Sequence, residues 1–195
     1  MSDYFVLRSL PSIEAEGVDG YMEIEDWHDV PGFENWGVGM PAQQRPTSDV
    51  ELPAVPHDGY TGLPDDFQDM SVPLMSKRLR EAIESAGVDN IDFHPLTVRN
   101  SETGEAYEYF AFNLIGLVAA ADHAKSNLAS HDGDFLGDSQ VHDLAIDDAR
   151  TRGLLMFRLK EKFTVILVHR KVKEAIERAG IGSVTFVKPE DFMAL

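Results

Sequence analysis

Apolar positions change their spacing along this chain, and each change marks an element. Residues 4–10 alternate as a short strand that Pro11 closes, and residues 18–24 form a second, less regular one. Between residues 26 and 73 no spacing is sustained. Proline and glycine break the segment, with turn signals at Pro31-Gly32 and Asp58-Gly59. A stretch of that length is either a functional loop system or irregular structure pinned by its own side chains. Trp27, Phe33, Trp36, Tyr60 and Phe67 favour the pinned reading, because disordered tracts are poor in aromatics.

Periodicity returns beyond residue 73. Met75, Leu79, Ala82, Ile83 and Ala86 share one helical face over residues 74–86, with Ser76 placed as N-cap and Gly87 as a left-handed stop. Residues 91–99 and 106–118 read as paired strands about the polar turn 100–104. Residues 141–146 read as a strand, and residues 154–159 and 163–168 as a hairpin. Residues 163–168 are apolar on both faces and belong in the middle of a sheet. A last helix covers residues 170–179 and a last strand residues 183–187. The predicted fold is α+β, a mixed and largely antiparallel sheet built from 91–99, 106–118, 154–159, 163–168 and 183–187. Two amphipathic helices pack on it. Residues 1–73 form an acidic, irregular N-terminal region and 74–195 the α+β core, together one compact domain.

The two helices are related. A shift of 93 positions brings 77–93 onto 170–186, so that Glu81, Ala82, Ile83, Glu84, Ala86, Gly87 and Phe93 recur as Glu174, Ala175, Ile176, Glu177, Ala179, Gly180 and Phe186. Duplication and convergence on a helix–glycine–strand pattern both produce this. Each helix carries its basic residues in the first turn, opposite to the preference of the helix dipole. Acidic neighbours, such as those of the N-terminal third, would hold them there.

Charge narrows the partners. The 195 residues hold 34 acids and 17 bases, a net −17. Residues 1–75 hold 15 of the acids against Arg8 and Arg45, a balance of −13. Nucleic acid and anionic membrane are therefore not expected as partners, whereas a basic protein would be steered to this surface. No apolar run approaches the roughly 20 residues that span a bilayer. The opening residues lack the pattern of a signal peptide, and there is no cysteine, which removes disulfides, thiolate ligands and cysteine nucleophiles. A cytoplasmic location is expected.

Catalytic motifs are missing. No His-Glu-x-x-His, Gly-x-Ser-x-Gly or phosphate-binding glycine loop occurs, and Gly37 and Gly39 lack the third glycine of a dinucleotide site. Asp132, Asp134, Gly137, Asp138 and Asp143 partly echo a calcium loop. Leu136 stands at a ligand position, however, and Asp143 replaces the closing glutamate, so a polar surface loop is the reading. Asp122 and His123 with His131 and Asp132 form a weaker transition-metal candidate. No metal, cofactor or catalytic residue is assigned. The candidate partner-binding residues are Glu23, Glu25, Asp26, Trp27, Asp29 and Trp36. A tryptophan among carboxylates combines apolar area with charge steering, and the alternative reading of Trp27 is a buried core residue with a solvated acidic rim.

Over residues 76–195 the chain resembles the immunity-protein family of bacterial polymorphic toxin systems, long treated as a domain of unknown function. Leu79, Gly87, Ile91 and Pro95 carry the likeness, then Tyr109, Asn113, Gly116, Val118, Lys125 and Ser126. Leu155, Phe157 and Leu159 continue it, and Val172, Ile176, Gly180, Gly182 and Phe186 close it. Ala119, Ala120 and Ala121 stand where such sequences often place acids, and 27–73 follows no matched pattern. The resemblance implies a small cytoplasmic protein that binds and neutralises a cognate toxin domain without catalysis. A homodimeric structural module joined through the repeat helices is the second reading, and a metal-dependent hydrolase using Asp122 to Asp143 the third.

Overall fold

The computed structural model describes residues 2–11, 20–25, 30–70, 72–129 and 140–194. Its first strands are β1 (Tyr4–Ser9), β2 (Tyr21–Ile24), β3 (Glu51–His57), β4 (Phe67–Gln68) and β5 (Leu74–Ser76). Helix α1 (Lys77–Ser85) leads to β6 (Ile91–Asn100), β7 (Ala106–Leu114), β8 (Leu117–Val118), β9 (Asn127–Ala129) and β10 (Gln140–His142). The hairpin β11 (Met156–Leu159) and β12 (Lys162–His169) precedes α2 (Arg170–Arg178), β13 (Val184–Val187) and β14 (Met193–Ala194). No helix among the described residues is long and apolar enough to cross a membrane.

The strands expected in one sheet divide between two. A six-stranded sheet runs β2-β3-β6-β7-β5-β4, a five-stranded one β13-β1-β12-β11-β8, and a small third one β14-β10-β9. Both helices lie in the core between the two large sheets. Leu79, Ala82 and Ile83 of α1 and Val172, Ala175 and Ile176 of α2 meet Phe110 and Phe112 of β7 and Ile166 and Val168 of β12 there. The apolar faces of both repeat helices are thus buried inside the chain. As its two apolar faces require, β12 is the middle strand of its sheet, with Val165 and Leu167 in a second core on the far side.

The two helical units have matching surroundings. β5 and β6 flank β7, both antiparallel to it, and α1 connects them. β12 and β13 flank β1 in the same way, and α2 connects them. Ser76 accepts from Leu79 N–H to cap α1, and His169 Nδ1 accepts from Lys171 N–H to cap α2. Gly87 and Gly180 follow with φ of 93° and 67°, as a C-terminal stop requires. One base of each first turn finds its acid in the N-terminal third, Arg78 on Asp66 and Arg170 on Asp3, whereas Lys77, Arg80 and Lys173 pair with Glu108, Glu84 and Glu177.

Other differences have local causes. The first helix begins at Lys77 because Leu74–Ser76 pairs with β7 before Ser76 caps it. The strand expected over 106–118 is broken at Ile115-Gly116, where Asn90 Nδ2 donates to the carbonyls of Ile115 (2.7 Å) and Met156 (3.0 Å). Beyond that clamp, β8 crosses to the other sheet and pairs parallel with β11. The irregular region also contains β3, a strand with two prolines. Pro53 lies opposite Glu25, just past the end of β2, and Pro56 lies beyond the stretch paired with β6. At Pro53 the missing N–H leaves only the bond from Glu25 N–H to Pro53 O and ends the pairing there, and at Pro56 no N–H is needed.

Candidate functional site

Trp36 does not present itself to a partner. It is fully buried and packs edge-on against Phe33 at 4.9 Å, and its indole N–H donates to the Gln44 carbonyl. The reason is architectural. Among the described residues no helix covers that side of the six-stranded sheet, and Phe33, Trp36 and Val72 of the irregular segment close it over Leu52, Leu96, Val98 and Tyr109. Asp26, Trp27 and Asp29 lie outside the described residues, as do Asp132, Asp134, Gly137 and Asp138. Among the described residues no group of three His, Asp or Glu side chains converges on a metal position.

The buried ionic groups are joints of the fold. Asp66 takes both prongs of the Arg78 guanidinium (2.7 and 2.6 Å) and hydroxyl donors from Ser76 and Ser183. Burial alone would raise its pKa, but these donors outweigh it and hold the carboxyl below its ordinary value. A carboxylate so saturated is a tether between the start of α1 and the start of β13. Arg158, 1% exposed, is bound bidentately by Asp69 at 3.0 and 2.6 Å. Sequence reading missed both, since neither pair has a local spacing signature.

Glu23 and Glu25 are exposed, and the structure places them on a wider surface. Met22 and Ile24 point into the core, so alternation along β2 turns Tyr21 and Glu23 to the opposite face; Glu25 N–H bonds Pro53 O and continues the pattern. The pairing carries that face across the sheet: Glu23 lies opposite Val55, Glu51 beside Thr97, and Thr97 opposite Glu108. Farther along β7, α1 covers the same face over Phe110 and Phe112. Arg80 marks the border, with its guanidinium 4.6 and 4.4 Å from the Phe93 and Phe110 ring centres. Beyond it no element among the described residues covers the face.

Three polar pairs lie on the bare face. Arg99 grips Glu51 with two bonds of 2.9 and 2.8 Å, and Lys77 holds Glu108 at 2.9 Å. His57 lies 3.0 Å from Glu23 while stacking on Tyr21 at 4.7 Å. The hydrogen bonds from Arg99 hold the Glu51 carboxyl below its ordinary pKa, and the bond to Glu108 raises that of Lys77. Such a surface attracts cations.

A model of the immunity protein family (Imm11) matches residues 17–191. The chain belongs to that family. Membership extends well upstream of residue 76, where the sequence resemblance began, and takes in β2 and β3 of the bare face. No curated protein matches the chain. Immunity proteins are in general not catalysts, and this chain is accordingly not an enzyme. The family implies a toxin as partner.

Proposed function

We propose that this chain binds a cognate toxin domain in the cytoplasm of the cell that makes the toxin, and neutralises it by occupying it. Family membership over residues 17–191 is the observation that carries this reading. The net −17 of the chain and the exposed carboxylates of Glu23 and Glu25 support a basic toxin domain belonging to a bacterial polymorphic system. Asp26, Trp27 and Asp29, next along the chain, are proposed as further contact residues. The two helix–glycine–strand units are read as copies of one unit that supply the scaffold. Growth protection tests the reading. Cells expressing the toxin domain of the neighbouring reading frame should grow when this chain is co-expressed and stop growing without it. Arrest in both cultures, with the chain present in soluble form, would refute it.

A further inference from the structure

Resting on that reading, we infer that the docking surface is the bare half of the six-stranded sheet, and that its occupant is a lysine- or arginine-bearing segment of the toxin domain. Antiparallel sheets often leave one face to water, so bareness alone assigns nothing. Shape is the first further observation. The face holds a hollow of about 540 Å³ that includes Glu51, Thr97 and Glu108 in its walls. Through Ala106, Tyr107 and Glu108 it continues into a second hollow of about 430 Å³ that ends at Leu63. Leu63 is 59% exposed, and Tyr21 at the β2 edge is 36% exposed, so apolar side chains stand at both ends of the acidic track.

Charge is the second. Around the two hollows and the β2 edge stand Glu23, Glu25, Asp49, Glu51, Asp66, Glu81 and Glu108 with Lys77, Arg78 and Arg99, seven acids against three bases. Lys77 and Arg99 already occupy Glu108 and Glu51 in the way a partner's cations would. Arg99 satisfies Glu51 with the planar two-bond geometry an incoming arginine would use, and Lys77 bonds Glu108 as an incoming lysine would. Both pairs are about half exposed and contribute little to stability, so exchanging their partners is cheap for the fold. Lys77 and Arg99 are therefore place-holders, and displacing them selects a partner with cations at the right spacing.

The test uses the full chain and the toxin domain of the neighbouring reading frame, with affinity and association rate measured at low and at physiological salt. Wild type should bind faster at low salt. Glu51→Arg with Glu108→Arg should weaken binding at least tenfold, mostly through slower association, with an unchanged melting temperature. Glu174→Arg, on the exposed side of α2, should change affinity less than twofold. If the double reversal does not fold, Glu51→Gln with Glu108→Gln carries the same test, with about a threefold loss expected. Wild-type affinity retained by a folded groove variant would overturn this inference and leave the immunity reading standing. A toxin domain that fails to bind even wild type would overturn both.

Discussion

Asp66 ties three separate parts of the chain together, and its protonation is the clearest pH-dependent event in the fold. Its folded pKa is lowered, so its stabilisation is present above the ordinary carboxylate value near 4 and is lost as pH falls through the folded value. Asp66→Asn should therefore cost about 2 kcal/mol at pH 7, less than a fully buried pair because the half-exposed Arg78 regains water. The gap should close as pH falls below the ordinary carboxylate value and through the folded one; urea melts at pH 7 and at successively lower pH would show it, and a gap that stays constant would contradict this account of the tether. Trp36→Ala should cost about 3–5 kcal/mol by leaving a cavity beside Phe33, seen as a lower melting temperature with or without partner. Sequence reading found the aromatics of the irregular segment and the exposed acids of β2. It could not separate Trp36 from a surface anchor, because an aperiodic segment does not show which side chains point inward.

Helix ends were legible in the sequence because their determinants are local. Ser76, the helical spacing after it and Gly87 lie within a dozen residues, and the same signals recur at Gly180. At Gly180 an added Cβ would meet nothing within 4 Å, so the cost of a side chain there is backbone strain alone. Gly180→Asn should be nearly neutral and Gly180→Val should cost about 1 kcal/mol or more, by chemical denaturation. Equal stability of the two variants would rule out the left-handed requirement. Strand pairing is a long-range property and was read less well. The two hairpins were found, yet nothing local to β6 or β12 says that they belong to different sheets, and Pro53 and Pro56 hid β3.

At the scale of the whole molecule, the family match and the folding unit have different limits. β1 precedes the matched residues 17–191, yet it is the shared partner of β12 and β13 and buries Tyr4, Val6 and Leu7. A fragment of residues 17–191 should lose cooperative thermal unfolding, whereas a fragment starting at Ser2 should keep it; a native-like melt of the shorter one would show that β1 is dispensable. The charge balance between the two parts of the chain was legible from composition. The gathering of Glu23, Glu51 and Glu108 on one sheet face was not, since that depends on β2, β3, β6 and β7 being neighbours. The central claim is that this chain stops a toxin by occupancy, without chemistry of its own. Titrating purified chain into a fixed amount of active toxin domain tests it most directly. Activity should fall in a straight line to zero at one equivalent, with the mass of the toxin unchanged afterwards. Loss of activity at a small fraction of an equivalent, or a toxin whose mass has changed, would contradict the account.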